Sequence, residues 1–316
     1  MQNPDQRRVE AFLREFASRL AEKQSGKIDF ILLFGSAALG EFVKGKSNVD
    51  LLIQVKEDAF IPETERLADH LFWELDQKYG LGLKEVCSTG EKKNALEGLL
   101  KLLESGARLN KPFEVMGPWD ISWETGEIVR ADLAPGAWLV ASQYSLLYKM
   151  KTEGKILWGR NILPEIRPKA TLWEKAKGAG VPQHLALAGL LVAWVLPEKG
   201  VAYASKTLLY ELESALLFLG KFRKGKARQM GLLEKEEQKK QAEALELALQ
   251  LGWRSRLGRE QRLFREAMEI KQQGWNRGRR EGLAFCFRAW LYILSTNSWL
   301  FLKALLEGEK APTQGY

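Results

Sequence analysis

The stretch IDFILLFGS, residues 28–36, and the stretch NVDLLIQV, residues 48–55, decide the fold of the N-terminal part of the chain. The first is a β-branched and aromatic run that stops at Gly35, which is typical of a buried strand. A short helix is predicted from Ser36 to about Phe42, and Val49–Val55 is a second apolar run suited to a strand. These segments predict two strands joined by a turn and a short helix.

The Gly35-Ser36 turn and the start of the second strand carry polar groups suited to phosphate and metal binding. Where a strand ends and a helix opens, unpaired N–H groups and the helix dipole can hold a phosphate. Gly35 permits close backbone approach and Ser36 adds a hydroxyl, although the same pair also serves as an ordinary turn. Because alternate strand residues project to one side, Asn48 and Asp50 are expected to point together and to offer oxygens to magnesium.

The flanking segments extend these strands into a small mixed sheet. An amphipathic helix is predicted near the N-terminus, with its apolar face at Val9, Phe12, Leu13, Phe16 and Leu20. Pro62 opens a second helix that runs to Gly80, and Leu81–Cys87 is predicted as the third strand. Residues 113–128 are predicted as extended segments with a turn at Thr125-Gly126.

The C-terminal part of the chain has an almost wholly helical pattern. Pro135-Gly136 is the clearest break, so we predict an N-terminal α/β domain over residues 1–135 and a helical bundle over residues 136–316. The fold class is therefore α+β. The predicted helices of the bundle are Ala137–Glu153, Pro182–Leu196, Ser205–Lys221, Glu234–Leu251, Gly258–Gln273 and Leu283–Leu306.

The N-terminal pattern resembles the polymerase-β-like nucleotidyltransferases. Their signature is a Gly-Ser pair after one strand and an Asp-x-Asp entering the next, and here Asn48 fills the position of the first Asp. Residues 85–86, 114–119 and 153–160 look like the corresponding segments of the streptomycin/spectinomycin-type aminoglycoside adenylyltransferases. That resemblance covers roughly residues 28–163, and it implies a small mixed-sheet catalytic domain followed by a helical bundle.

The resemblance implies transfer of a nucleoside monophosphate from a nucleoside triphosphate, with ATP expected, to a hydroxyl group in a Mg²⁺-dependent reaction. The metal ligands would be Asn48, Asp50 and Glu85, with Asp50 and Glu85 catalytic, and Glu114 is the fallback third acid. Gly35 and Ser36 would hold phosphate. Lys206, in Ala204-Ser205-Lys206, resembles a Ser-Lys used on nucleotide phosphates, although an exposed lysine at a helix start explains it equally well.

The acceptor and the activity stay open in the sequence. An antibiotic-like small molecule is what the resemblance implies, and tRNA or a protein are further acceptors. Asn48 offers an oxygen but no charge, so the site has one fewer anion for divalent cations. The sequence thus supports two hypotheses, namely a weakened nucleotidyltransferase and a catalytically inactive nucleotide- or RNA-binding module on the same fold.

The formal net charge of +8 is concentrated in the C-terminal part of the chain. Residues 221–288 contain 18 Lys and Arg against 9 Asp and Glu. An excess of this kind can hold a phosphate backbone, and it mildly favours tRNA as a partner, although solvated basic helix faces are common. The Trp275–Arg280 segment is the strongest local RNA-like feature, and a basic loop between helices explains it as well.

The remaining composition excludes several other classes of function. The two cysteines, Cys87 and Cys286, form no metal or disulfide pattern, which favours a reducing, cytoplasmic location. Residues 1–27 lack the apolar core of a signal peptide, and no run is suited to a membrane span, so no membrane partner is expected. The two histidines, His70 and His184, lie in apolar helical patterns, which argues against a histidine metal site.

Overall fold

The computed structural model describes residues 4–40, 42, 44, 47–83, 112–129, 142–169, 171–218, 262–267, 269–270 and 274–307. It contains mixed α and β structure, and the α+β prediction is confirmed. The chain divides into two compact units. Unit 1 comprises residues 1–138 and 146–169, and unit 2 comprises residues 139–145 and 170–316.

Unit 1 is built on a four-stranded sheet. Its strands are β1 (Ile28–Phe34), β2 (Asp50–Val55), β3 (Phe113–Met116) and β6 (Lys155–Gly159), and a separate hairpin comprises β4 (Ile121–Ser122) and β5 (Glu127–Ile128). The strand order of the sheet is β3-β2-β1-β6. Strand β1 pairs antiparallel with β2 and β6, whereas β2 and β3 are parallel. The hairpin turns through residues 123–126, as predicted for Thr125-Gly126.

Two helices cover one face of this sheet. They are α1 (Pro4–Lys23) and α3 (Ile61–Tyr79), and α2 (Gly35–Leu39) follows β1 directly. All five apolar residues predicted for the inner side of α1 are buried. Phe12 of α1 and Phe72 of α3 meet edge to face at 5.1 Å between ring centroids, and Ile31, Leu33, Leu51 and Ile53 of the sheet complete this first core.

The opposite face of the sheet has a second core. Phe30, Leu32, Leu52 and Met116 of the strands pack there with Trp123 of the hairpin turn. The indole N–H of Trp123 donates to Oε1 of the buried Gln54 at 3.1 Å. Helix α4 (Gln143–Glu153) contributes Leu147 and Met150 to the same core.

The third strand of the sheet differs from the prediction. Leu81–Cys87 was predicted as the third strand, but residues 81–83 contain no strand and Phe113–Met116 forms β3 beside β2. The remainder of that predicted strand lies outside the described residues. Local apolar character does not specify which distant segment completes a sheet, because the pairing depends on contacts made after the chain has folded back.

The predicted domain boundary after residue 135 also differs from the structure in one segment. Residues 155–159 were assigned to the helical bundle, yet they form β6, which hydrogen-bonds to β1 in unit 1. Arg160 fixes this edge, because its guanidinium donates to Asp29 at 2.8 Å and to Glu165 at 2.7 Å. The strand returns to the sheet after a helix, so a single sequence break could not mark the division.

Unit 2 is helical, with α5 (Leu172–Ala193), α6 (Pro197–Phe218) and α7 (Arg279–Glu307) packed together. Residues 262–267 and 269–270 are also helical, whereas the predicted helix Glu234–Leu251 lies outside the described residues. Helices α5 and α6 approach closely, since a Cβ at Gly200 would overlap Ala193. Within the described ranges, no helix is long and apolar enough to cross a membrane.

Candidate active site

Gly35 joins β1 to α2 at one end of the sheet. Phe34, the last residue of β1, pairs with Asp50, the first residue of β2. Gly35 has φ +75°, and a Cβ at this position would overlap Oδ2 of Asp50. The absent side chain therefore lets the Asp50 carboxylate lie against the backbone. Ser36 follows in the first turn of α2 and is partly buried, so three predicted site residues occupy this one end of the sheet.

Asn48 and Asp50 point to the same side, as the alternation of strand residues predicts. The amide Nδ2 of Asn48 donates to Oδ1 of Asp50 at 2.8 Å. Both side chains are partly buried, whereas Val49 between them is fully buried. Asn48 thus presents a hydrogen-bond donor to the carboxylate, and its own oxygen would face a metal at Asp50 only after rotation of the amide.

Glu114 brings a second carboxylate to the face that carries Asp50. It lies in β3 opposite Leu52 of β2, and residues in register on parallel strands project to the same side. Asp50 and Leu52 are two residues apart in β2 and therefore share that side. Glu114 is partly buried. The structure thus places the fallback acid on the strand beside Asp50, while Glu85 lies outside the described residues.

The sequence carried a weak signal for this arrangement. Phe113–Met116 is a short apolar run in which only Glu114 is polar, as expected of a strand with one side chain at a functional edge. The run was recognised as extended, but its neighbour in the sheet was not. Leu81–Cys87 offered a longer apolar run and a similarly placed glutamate, so local pattern favoured the other segment.

The remaining predicted residue, Lys206, belongs to unit 2. It lies on α6, and its side chain is exposed. Its neighbour Ser205 is buried, and the Ser205 hydroxyl donates to the Ala267 carbonyl at 2.7 Å, so this serine connects two helices. A role for Lys206 on nucleotide phosphate stays a prediction.

The carboxylates of the candidate site are few. Among the residues that the structure describes, no group of three or more His, Cys, Asp or Glu side chains is arranged to hold a metal ion. Among the described strand residues on the side of the sheet that carries Leu52, the acids are Asp50 and Glu114. Two carboxylates with phosphate and water oxygens are enough for one Mg²⁺, because this ion usually keeps several waters and takes few protein ligands.

A separate groove of about 640 Å³ lies between α1 and β6. Leu33 and Leu157 line it, and both belong to the first core. Asp50 does not line this groove and lies on the other face of the sheet. The groove is therefore distinct from the acidic site.

The comparisons with known proteins agree with this geometry at the level of the domain. A family model described as nucleotidyltransferase domain matches residues 13–101. That range includes the second half of α1 and all of β1, α2, β2 and α3, and it contains Gly35, Ser36, Asn48 and Asp50. Residues 13–101 are therefore similar to nucleotidyltransferase domains. No curated protein matches the chain.

Proposed function

We propose that this protein transfers a nucleoside monophosphate from a nucleoside triphosphate, with ATP as the expected donor, to a hydroxyl group. The observation that carries the proposal is the approach of Asp50 to Gly35, which brings a carboxylate against a strand-to-helix turn within the matched domain. A turn of this type can bind phosphate through backbone N–H groups. The carboxylate supplies the oxygen ligand that Mg²⁺ requires between protein and triphosphate.

Each residue of the site has a distinct role in this proposal. The N–H groups at Gly35 and Ser36 bind phosphate oxygens and orient the α-phosphorus. Asp50 and Glu114 would hold Mg²⁺, which when bound neutralises charge on the triphosphate and on the departing pyrophosphate. The oxygen of the acceptor hydroxyl bonds to the α-phosphorus while the bond from the α-phosphorus to pyrophosphate breaks. Glu114 accepts the proton that this hydroxyl loses. Lys206 remains a candidate for additional phosphate charge.

Asn48 is expected to slow this reaction relative to a site with two aspartates. At about 4 Å and an effective dielectric near 20, one lost unit-charge interaction is on the order of 4 kcal/mol before solvent compensates. Loss of even a third of that energy from the transition state slows the reaction by about tenfold, and the loss doubles for a divalent ion. We therefore expect a weak, one-metal enzyme.

A second candidate is a catalytically inactive module that binds nucleotide or RNA. The observation that favours it is the hydrogen bond from Asn48 to Asp50, which engages one carboxylate oxygen with a donor. In this candidate the turn at Gly35 still binds phosphate, but no bond is made at the α-phosphorus. The basic C-terminal part makes tRNA the first ligand to test.

The two candidates are distinguished by turnover with labelled triphosphates. Parent protein, Asn48→Asp and Asp50→Ala would be incubated with Mg²⁺ and each triphosphate. The acceptors would be streptomycin and spectinomycin, chosen from the resemblance of residues 28–163, and tRNA. The enzyme predicts product from the parent, at least tenfold more from Asn48→Asp, and none from Asp50→Ala. Metal-independent triphosphate binding without product in any variant would support the inactive module.

The role of Glu114 is tested by paired substitutions. Glu114→Gln removes the charge beside β2 and keeps the size of the side chain, so we expect at least a hundredfold loss of turnover with an unchanged fold. Glu57→Gln changes an exposed glutamate that follows β2, and it should have no effect. A loss of turnover in Glu85→Gln with full activity in Glu114→Gln would return the role to Glu85.

A further inference from the structure

The outward face of α5 is unusually apolar for a helix of a water-exposed bundle. Among the α5 side chains that the structure describes, with the two residues that follow the helix, the exposed ones include no Lys, Arg, Asp or Glu. The large apolar members are between 40% and 63% exposed. Their spacing of three or four residues places them on one side of the helix. We call this surface the α5 face, and it comprises Trp173, Ala176, Gly180, His184, Leu187, Leu191, Trp194 and Val195.

The α5 face has small residues in its first half and large ones in its second. Gly180 and Leu187 lie at equal distances from a point between residues 183 and 184, and so do Ala176 and Leu191. Trp173 and Trp194 form a third such pair at the two ends. A Cβ added at Gly180 would have only the His184 ring within 4 Å, so the surface above Gly180 is open.

This pattern is complementary to itself. If a second α5 lies antiparallel on the first, Leu187 of each copy meets Gly180 of the other, and Leu191 meets Ala176. Large side chains then fill the spaces left by small ones, which is how helices pack closely. Pro182 is buried on the other side of α5 and does not interrupt this surface.

We propose that the α5 face is the surface through which two copies of this chain associate, with a twofold axis crossing the helix between Gln183 and His184. An uncharged face neither attracts a charged partner nor repels its own copy, and a twofold dimer uses the same patch on both subunits. The outer side of α7 also exposes Phe287, Leu291 and Leu302, but Arg288 flanks it. That side lacks the matching of small and large residues.

The size of the face sets the expected strength of the dimer. A helix of 22 residues is about 33 Å long, and a stripe about 10 Å wide covers on the order of 300 Å² per copy. Stable complexes bury about 800 Å² per partner. The dimer is therefore expected to be weak and reversible.

Sedimentation equilibrium from low to high micromolar concentration tests the proposal with a matched pair of variants. Leu191→Asp places a charge in the centre of the interface and is expected to weaken association at least tenfold. Leu302→Asp adds the same charge to a leucine of α7 that is also more than half exposed, and association should be unchanged. Circular dichroism of both variants verifies that the bundle is folded. A parent protein that is monomeric throughout, or equal weakening in both variants, overturns the proposal.

Cysteine cross-linking tests the antiparallel geometry independently. In a Cys87→Ser background, with the buried Cys286 retained, Trp173→Cys and Trp194→Cys would be prepared separately. Residue 173 of one copy meets residue 194 of the other, whereas the two residues 173 lie about 30 Å apart. Mixed variants should form a disulfide-linked dimer under mild oxidation, and Trp173→Cys alone should not. Equal cross-linking of Trp173→Cys with itself contradicts the arrangement.

Discussion

At the scale of single residues, the candidate site is controlled by which side chains are absent as much as by which are present. Gly35 has no Cβ, and this allows the Asp50 carboxylate to lie beside the turn. Asn48 lacks a charge, and its amide therefore donates to the same carboxylate. Both features act on Asp50, so substitutions at Gly35 and Asn48 should affect the Asp50 carboxylate.

Gly35→Ala should damage both stability and ligand binding. An alanine at φ +75° costs about 1 to 2 kcal/mol in backbone strain, and its Cβ would also displace the Asp50 carboxylate. Gly26→Ala is the matched control, because Gly26 has φ +79° but no atom within 4 Å of its Cβ position. Urea unfolding should show strain in both variants. Under the proposed function, binding of labelled ATP with Mg²⁺ should fall at least tenfold in Gly35→Ala alone.

Comparable loss of ATP binding in Gly26→Ala would mean that strain, and not contact with Asp50, is responsible. Unchanged binding in Gly35→Ala would remove this turn from the site. The unfolding curves show whether each variant is folded, so a loss of ATP binding can be distinguished from a loss of structure.

At the scale of elements, the sequence predicted what depends on neighbouring residues and failed where distant segments meet. The alternation in β2 placed Asn48 and Asp50 on one side, and the helical spacing in α1 identified its buried face. Local sequence pattern could not decide whether Leu81–Cys87 or Phe113–Met116 is the strand beside β2, because both are apolar runs with one glutamate. Phe113–Met116 is the segment that pairs with β2, through the parallel register of Leu52 with Glu114, and this is a long-range contact.

The start of α5 is a helical example of a boundary that local sequence predicted wrongly. Pro182 was predicted as the first residue of a helix, since proline is favoured there. The helix instead begins at Leu172, where the Thr171 hydroxyl accepts a hydrogen bond from the Glu174 N–H at 3.2 Å, and Pro182 lies inside it. The cap and the packing of α5 against α6 stabilise a helix that contains a proline.

Helices α6 and α7 enclose a carboxyl group that should make the stability of unit 2 depend on pH. Glu211 is completely buried. Burial raises the pKa of Glu211 well above its ordinary value of 4.5, and the nearby Asn297 side chain opposes this only in part. The folded state therefore keeps a proton that the unfolded chain releases. Stability falls as pH rises from 4.5 toward the raised pKa, by up to about 1.4 kcal/mol per pH unit.

Glu211→Gln should remove this dependence, because glutamine has the same shape and does not titrate. Thermal unfolding should give a higher Tm than that of the parent near neutral pH and a similar Tm near pH 4.5. Glu281→Gln changes an exposed position on α7 and is the control. The difference in Tm between neutral pH and pH 4.5 should be the same in this variant as in the parent. A Glu211→Gln variant that is less stable than the parent at neutral pH would show that the ionised form is the stabilising one.

At the scale of the whole molecule, the net charge of +8 predicts non-specific attraction to polyanions. Within the described part of the basic residues 221–288, two exposed arginines are ion-paired with a glutamate of the same chain. Arg277 pairs with Glu266 at 2.9 Å and lies over the Trp275 ring at 5.6 Å, and Arg288 pairs with the same glutamate. Arg280 is exposed and forms no ion pair within the described residues. The Trp275–Arg280 segment therefore has a clear structural role, which sequence alone left open.

Because Arg277 is ion-paired and Arg280 forms no ion pair within the described residues, their substitutions should have different effects on tRNA binding. Arg280→Ala should weaken binding at low salt and reduce the slope of log affinity against log salt by about one, as expected when one phosphate contact is lost. Arg277→Ala should lower thermal stability modestly, by about 0.5 to 1 kcal/mol for an exposed ion pair, and leave the slope unchanged. Filter binding across a salt series measures both slopes. A steeper loss of tRNA affinity in Arg277→Ala than in Arg280→Ala would mean that tRNA competes successfully for the guanidinium that Glu266 holds.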